Sequence, residues 1–445
     1  MPEISSIVNV NVSPATRPIA TANFSIPLFL STHNVFTERA RAYTSVAEAT
    51  QDGFDTQHPV VKFLSGIYNG GFPPSKVWVG RKLLESISIV PNVAVDDTTY
   101  SFKIYVGGTE TVISIDSGTS ATLDSIATAL VAAMSGVAGV TVTDDTGSLT
   151  ITPTDIDAVL TVYDITSNLG AIYTTDSSES WTTCYNAVRT YLTEDYLFLG
   201  CDSHAKADQE ELFGLASSND DFYVTTSGAS EILDPADSTD IMSEMKALSY
   251  QKGMVMYHSQ ADTYYPEGAI IGAWAGTDAG TTTIHGRTLV GVPTDDLSET
   301  QVSTIQAKNG SSYVEIAGGG FLLDGFVPDG NFCDTIRFSL WLESRVAESV
   351  FGLIKRKSDT GRKVPFNNIG IAMVRQAIAE PLDLAASRGA TTKDEETGEF
   401  YTIITPTRLE VPENDRANRF LPDVEFYVIY SSAIHRCKIN GTVSI

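Results

Sequence analysis

Residues 180–290 alternate between helical stretches and short apolar runs, and this rhythm constrains the fold more than any other feature of the chain. The apolar runs are 196–199, 222–224 and 254–257. Helices are predicted around them, near 180–192, 205–217, 237–248 and 265–275. Short, wholly apolar strands separated by helices are typical of a parallel sheet that is covered on both faces. This segment therefore predicts a doubly wound α/β domain.

Residues 83–167 follow a different pattern. Two hairpins are predicted, one turning at Gly107-Gly108 and the other at Asp145-Thr146-Gly147. A helix over 120–134 lies between them, so the order is ββαββ, and we expect the helix to cover one face of a four-stranded sheet. The segment carries 11 acidic residues and one basic residue, which favours a solvated insertion.

The remaining pattern mixes helices and strands. A helix is predicted over 43–68, with Ser45 as its N-cap and a stop at Asn69, followed by a strand over 76–80. The strongest amphipathic helix covers 334–355, and another covers 367–386. The chain ends in strands predicted over 401–404, 424–430 and 435–445. The fold class is therefore α/β in a mixed α+β chain with several domains.

The whole net charge of −26 lies in the first 330 residues, which hold 14 basic and 40 acidic residues. Residues 331–445 hold 15 of each, and five bases fall within 355–363. This basic run is either the solvated end of a helix or a contact for an acidic partner surface, and charge alone does not separate the two. The acidic body argues against nucleic-acid binding, which needs clustered bases.

Composition narrows the class of protein further. A chain of 445 residues with four scattered cysteines is expected to fold as about two to four domains in a reducing compartment. No apolar run approaches the roughly 20 residues of a membrane helix, and the N-terminus lacks the layout of a signal peptide. We therefore expect a soluble protein that is made in a cytoplasm and does not insert into membranes.

The chemistry-bearing motifs are weak. Cys201 and His204 have the spacing of half a zinc site, but no second half-site matches them. Gly318-Gly319-Gly320 suits a flexible turn better than an anion cradle, because no Lys-Ser/Thr follows. No nucleophile motif or dinucleotide fingerprint occurs. The sequence thus predicts no enzyme activity, no cofactor and no metal.

The N-terminal segment alternates apolar and polar residues, as an exposed strand does. Such a strand is either an edge of its own domain or an arm that pairs with another chain. The alternating apolar residues are Ile4, Ile7, Val8, Val10 and Val12.

Several segments in order resemble the sheath-like family of contractile bacteriophage tails, long catalogued in phages as a domain of unknown function. The first are TSVAEATQDGF, HPVVKFLSGIYNGG and KVWVG, followed by SWTTCYNAVRTYLTEDYLFLG. The later ones are LSETQVSTIQAKNGSSYVEIAGGG, FCDTIRFSLWLESRV and RFLPDVEFYVIYSSAIHRCKINGTVSI. The resemblance covers most of the chain, and its specificity lies in the order of the segments.

The resemblance implies a sheath subunit that forms stacked hexameric rings around a tail tube and contracts to drive the tube through the host envelope. Both chain ends would build a core domain, and inserted domains would face outward. The implied layout is an arm over 1–20, core over 21–82, the insertion over 83–167, an α/β middle domain over 168–330, and core again over 331–445. Implied partners are further copies of the chain, the tail tube protein, and baseplate and terminator proteins, in a virion tail assembled in the host cytoplasm.

The resemblance also implies roles for particular residues. The N-terminal arm and the last strands would reach into neighbouring subunits. Strand exchange between subunits is therefore the favoured interpretation of residues 4–12. The C-terminal residues involved in exchange would be Val424, Phe426, Val428, Ile434, Ile439 and Val443. The implied tube-facing residues are Arg345, Lys355, Arg356, Lys357, Arg362 and Lys363.

Two other functions remain open from the sequence. One is a small-molecule-binding or catalytic α/β protein that uses the strand ends of 196–260 as its site. The other is a different structural component of the tail, such as a baseplate protein.

Overall fold

A computed structural model of the chain describes residues 23–155, 158–175 and 179–439. Its strands in this part are β1 Pro27–Thr32, β2 Ala40–Tyr43, β3 Val77–Lys82, β4 Leu84–Pro91, β5 Thr99–Val106, β6 Thr109–Asp116, β7 Val140–Asp145, β8 Ser148–Pro153, β9 Leu160–Tyr163, β10 Leu169–Thr175, β11 Phe198–Cys201, β12 Phe222–Ser227, β13 Gly253–Tyr257, β14 Ser311–Ile316, β15 Gly319–Leu323, β16 Thr391–Thr392, β17 Tyr401–Ile404 and β18 Glu425–Tyr430. Its α-helices are α1 Val46–Asp52, α2 Pro59–Tyr68, α3 Leu123–Ala133, α4 Trp181–Tyr191, α5 Lys206–Asn219, α6 Ile241–Ala247, α7 Ala261–Tyr264, α8 Pro266–Gly272, α9 Glu299–Ala307, α10 Cys333–Asp359, α11 Asn368–Ser387 and α12 Glu413–Ala417.

The largest sheet has eight strands in the order β15-β14-β13-β12-β11-β1-β3-β2. Its six central strands, from β14 to β3, run parallel to their neighbours, and an antiparallel strand closes each edge. Every residue of β11, β12 and β13 is buried, as a sheet covered on both faces requires. The predicted doubly wound α/β domain is confirmed.

The two faces of this sheet have different cores. Leu28 and Leu30 of β1 point into the cluster built with α4, α5 and α6, which includes Tyr185 and Phe213. Phe29, between them, points the other way and stacks on Phe63 of α2, with ring centroids 4.0 Å apart. The alternation of side chains along one strand therefore ties both helical layers to the sheet.

The chain divides into two compact units, one of residues 338–431 and one holding residues 23–337 and 432–439. The sequence grouped residues 21–82 with 331–445, whereas the strand pairing groups β1, β2 and β3 with β11 to β15. The physical reason is that β1 is apolar on both faces and fully buried, and it pairs in parallel with β11 on one side and β3 on the other. We call residues 23–337 with 432–439 the α/β unit and residues 338–431 the helical unit.

The insertion contains two antiparallel sheets instead of one. They have the orders β10-β4-β8-β7 and β6-β5-β9. The two predicted hairpins are present, but they belong to different sheets, because β4 and β10 pair with each other at the ends of the insertion and β4 also pairs with β8. Helix α3 packs Ile126, Leu130 and Met134 into a core shared by both sheets. The expected four-stranded ββαββ unit is therefore wrong in its pairing.

The helix predicted over 43–68 is two helices. Gly53, with φ of 109°, ends α1, and His58 and Pro59 begin α2. A left-handed residue cannot continue an α-helix, so the break follows from the glycine. The predicted cap at Ser45 is confirmed, since its side chain accepts a hydrogen bond from the Glu48 backbone N–H.

The helical unit contains most of α10, together with α11, α12 and the three-stranded sheet β16-β18-β17. Its core is small. Phe338 of α10 stacks on Tyr430 of β18, with ring centroids 5.0 Å apart, and Trp341, Leu342 and Leu382 are also buried. The strands predicted over 401–404 and 424–430 are confirmed as β17 and β18.

The chain ends differ from the prediction or lie outside the described residues. No strand forms in residues 431–439, where one was predicted from 435, because side chains in this stretch make their contacts with the α/β unit instead of a ladder. The predicted arm over 1–20, with Ile4, Ile7, Val8, Val10 and Val12, lies outside the described residues. The same holds for Val443.

Candidate assembly surfaces

The last turns of α10 carry the predicted cationic cluster. Lys355 forms an exposed ion pair with Asp359, one turn further on. The Thr360 hydroxyl donates to the backbone carbonyls of Arg356 and Lys357 and so caps the helix end. Within the described part of the chain, neither Arg356 nor Lys357 forms an ion pair with a carboxylate. Cations at a helix C-terminus are favoured by the helix dipole, so this end has a structural reason to be basic.

The other predicted bases lie in different surroundings. Arg345 is half-buried and forms an ion pair with Glu348 at 2.6 Å, one turn away on the same helix. Arg362 and Lys363 follow the helix and line a groove of about 410 Å³ that also contains Arg419. The apolar lining residues of this groove are Ile354, Val364, Pro365, Phe366, Ile371, Val374 and Leu421. The six residues therefore do not form one uniform array.

Large apolar side chains of the helical unit face solvent in this chain. Phe351 and Ile354, three residues apart on α10, are 56% and 53% exposed, and Phe420 is 60% exposed. The amphipathic pattern of 334–355 predicted the helix but did not indicate that Phe351 and Ile354 lie outside its buried face. Exposed apolar groups of this size, on a unit with a small core, are typical of a protein contact surface.

The three-stranded sheet has open edges. β17 pairs with residues 425–428 of β18 on one side, whereas β16 covers the other side at Ile429 and Tyr430 alone. Within residues 23–155, 158–175 and 179–439, nothing pairs with β18 along 425–428 on the β16 side. The face carrying Tyr427, Ile429 and Ile404 is also exposed. Unpaired strand edges are the sites at which another chain adds a strand.

The predicted exchange residues of the C-terminus therefore have mixed positions. Phe426 and Val428 are half-buried in β18, and Val424 precedes the strand. Ile434 and Ile439 are 88% and 85% exposed. The structure places the first group in the open sheet and the second on the segment that follows it.

The carboxyl edge of the large sheet, where a small-molecule site would lie, carries a cluster of hydrogen-bonded charged side chains. His204 lies between two carboxylates, with Nδ1 2.7 Å from Asp262 and Nε2 3.1 Å from Glu267. Burial by itself would lower the pKa of His204, but the charges of Glu267 and Asp262 outweigh it and raise this pKa to about 10. Glu267 is buried and also accepts from Thr226, so the group works as an internal ion-pair cluster.

The motif candidates from the sequence have local structural roles. The Cys201 thiol contacts the Tyr223 hydroxyl at 3.2 Å, while His204 faces the carboxylates, so the two do not share a site. In the described residues, no group of three or more His, Cys, Asp or Glu side chains is arranged to hold a metal ion. Gly318 forms the β14–β15 turn, with φ of 83° after Ala317 at 53°.

A membrane-spanning segment is also not found among the described helices, since none is both long and apolar enough.

Known proteins resemble this chain in fold and not in sequence. No family model and no curated protein matches it. A chain in the structure of the anti-feeding prophage baseplate in its contracted state matches with a TM-score of 0.55 at 12% identity, over 99% of this chain and 98% of that one. A chain in the six-fold symmetrised baseplate of the same particle matches with a TM-score of 0.53 at 9% identity, over 98% and 99%. A sheath tail protein from Listeria innocua gives a TM-score of 0.48 at 11% identity, over 87% and 90%.

Over nearly its whole length, the chain therefore shares its fold with chains in the structures of the anti-feeding prophage baseplate. The likeness is one of fold, and at that level it supports the resemblance drawn from the sequence.

Proposed function

We propose that the chain is a sheath subunit of a contractile tail, which polymerises as stacked hexameric rings around a tail tube and has no enzymatic role. The observation that carries the proposal is the helical unit, with its small core, open sheet edges and exposed apolar side chains. Such a unit gains buried area and backbone hydrogen bonds when strands and side chains of other copies cover it. The fold shared with a contractile particle over nearly the whole chain supports the same conclusion.

The arms of the chain would provide the covering strands. Residues 4–12 alternate as an edge strand does, and β18 offers an unpaired edge along 425–428. A strand added there by a second copy links two subunits through backbone hydrogen bonds. Those bonds can persist while whole domains turn as rigid bodies, which contraction between two lattices requires.

Deleting residues 1–12 is expected to leave a folded subunit that does not polymerise, because the deleted strand would pair with another copy. Sedimentation and thermal unfolding of the purified variant measure both properties. A second variant, Val8→Pro with Val10→Pro, removes two backbone N–H donors and is expected to give the same result. Its matched control, Val8→Ala with Val10→Ala, keeps the donors and should retain most polymerisation. Normal polymers from the deletion variant would rule out exchange of this arm.

Reversing the charge at Lys355, Arg356 and Lys357 to glutamate is expected to weaken attachment of the polymer to its tail tube. Each exposed ion pair contributes about 0–1 kcal/mol, so only a repeated array of them has a measurable effect, and that effect should shrink with added salt. Co-sedimentation with tubes over a salt series measures it. The matched control reverses the exposed bases Arg375, Lys393 and Arg408 of the same unit. Equal tube binding and salt response in both variants would contradict a tube-facing role for this helix end.

A baseplate component is the second candidate, because the matched chains come from structures of a baseplate. The two functions differ in assembly, since a sheath subunit forms long tubes and a baseplate component forms a ring of fixed size.

A further inference from the structure

The described end of the chain makes a specific contact with the α/β unit. His435 stacks on His285, with ring centroids 4.2 Å apart and planes 9° from parallel. The edge of Phe332 contacts the same ring at 4.7 Å, and His435 Nε2 lies 3.1 Å from the Thr283 hydroxyl. One side chain of the C-terminal segment is therefore held on three sides.

The next residue adds a charged contact. Arg436 donates to Asp324 Oδ1 at 2.8 Å, and Asp324 is only 3% exposed. The other oxygen of Asp324 accepts from Gln306 at 2.7 Å, and the Asp324 backbone N–H donates to His285 Nδ1 at 2.9 Å. The buried carboxylate thus connects both anchoring residues of the segment to the body.

Few side chains hold the C-terminal segment on the body of the α/β unit. Its neighbours Ile434 and Ile439 are exposed, so His435 and Arg436 carry the attachment. An open cleft of about 530 Å³ remains beside the segment, lined by Gln306, Asp324, Phe326, Phe332, Ala433, Ile434, His435 and Arg436. A segment held by two polar side chains over a partly open cleft can be released without unfolding the body.

We propose that this contact is a releasable docking site for the chain's own C-terminal segment and that protonation of His285 releases the segment. The role of this release rests on the proposed function, because a sheath subunit that exchanges its C-terminal residues with a neighbour must first free them. Docking on its own body then competes with exchange between copies.

The direction of the pH dependence follows from the groups around His285. Burial, and then the charges of His435 and Arg436, lower the pKa of His285 below its ordinary value, while Asp324 acts in the opposite direction. The other groups packed on the two rings, Thr283, Phe321 and Phe332, carry no charge.

A lowered pKa means that the docked state binds fewer protons than the released state below about pH 6.5, the ordinary value for histidine. Docking is therefore complete above that pH and weakens as the pH falls through it. From His285 alone, the docking equilibrium loses up to about tenfold for each pH unit below 6.5.

Cys437 provides a reporter at the right place, because it is exposed while Cys184, Cys201 and Cys333 are buried. A fluorescent maleimide on Cys437 of the full chain, at a concentration where sedimentation shows monomers, gives an anisotropy that follows the docking of the segment. We expect high anisotropy at pH 7.5 and a fall between pH 6.5 and 5.5, with an unchanged far-ultraviolet circular dichroism spectrum.

Variants on the segment itself test the contact without disturbing the folded body. Arg436→Gln is expected to give low anisotropy already at pH 7.5, and Lys438→Gln, an exposed charge change beside it, should match the unmodified chain. His435→Phe keeps an aromatic ring and removes a charge that lowers the pKa of His285, so the anisotropy of this variant should fall less on acidification. Equal anisotropy at pH 7.5 in the unmodified chain and Arg436→Gln, or no pH response, would overturn the docking site. Because these measurements use monomers, that failure would leave the sheath proposal standing.

Discussion

Replacing Arg337 with methionine is expected to lower the free energy of unfolding by about 4 kcal/mol. The guanidinium is buried and donates to the backbone carbonyls of Trp274 and Ala275, to both oxygens of Thr277, and to the carbonyl of Phe24. Methionine fills a similar volume but donates to none of these acceptors. The Trp274 carbonyl and the Thr277 hydroxyl keep other hydrogen-bond partners, whereas the other acceptors lose their arginine donor. Each buried acceptor left unsatisfied costs about 1–3 kcal/mol, so even partial relaxation leaves a large loss.

Urea unfolding of the purified variant measures this loss, and two substitutions define its cause. Arg337→Lys retains the charge but lacks the planar guanidinium. Its free energy of unfolding should lie between those of the unmodified chain and Arg337→Met. Arg375→Met removes an exposed arginine and should change stability by no more than about 0.5 kcal/mol. An Arg337→Met chain as stable as the Arg375→Met chain would show that the buried hydrogen bonds contribute little.

Replacing Gly268 with alanine is expected to cost about 3 kcal/mol of stability, because α2 and α8 cross there backbone to backbone. A Cβ at Gly268 would lie 2.3 Å from the Phe63 carbonyl oxygen, and one at Gly66 would lie 2.6 Å from the Ala269 nitrogen. About one turn further along, a Cβ at Gly70 would lie 2.4 Å from the Gly272 carbonyl oxygen, and one at Gly272 would lie 2.4 Å from the Ile67 carbonyl oxygen. Alanine in a helix is ordinarily about 1 kcal/mol better than glycine, so a loss would show that the crossing is too tight for a methyl group.

The matched control is Gly71→Ala, where an added Cβ meets nothing within 4 Å. Thermal and urea unfolding should show that Gly268→Ala is clearly less stable than Gly71→Ala. If Gly268→Ala proved as stable as Gly71→Ala, the helices would have room to move apart, and the close crossing would not be needed for the fold.

Local signals in the sequence predicted the elements of the fold well. The caps at Ser45 and Asn69, the hairpin turn at 145–147 and the long helix α10 all depend on residues close together in the chain. The strand–helix alternation of 180–290 predicted the parallel sheet for the same reason. The ordered segments of the sheath-like resemblance then agreed with the fold.

Contacts between distant residues were not predictable in this way. The pairing of β1 with β11 spans more than a hundred residues of sequence. The hydrogen bonds that bury Arg337 against the 274–277 segment span 60 to 63 residues. The close fit at Gly66 and Gly268 was equally unpredictable, because each glycine meets a backbone that lies far away in the sequence, at Ala269 and Phe63. His435 and Arg436 resembled part of a strand, because the groups that hold them, His285 and Asp324, lie more than a hundred residues away.

The measurement that tests the central proposal most directly is negative-stain electron microscopy of the purified chain over a series of concentrations and salt levels, with and without its tail tube protein. The proposal predicts hollow tubes or stacked six-fold rings whose length grows with concentration. Single rings of fixed size, or monomers that persist when tubes are added, would contradict a sheath subunit.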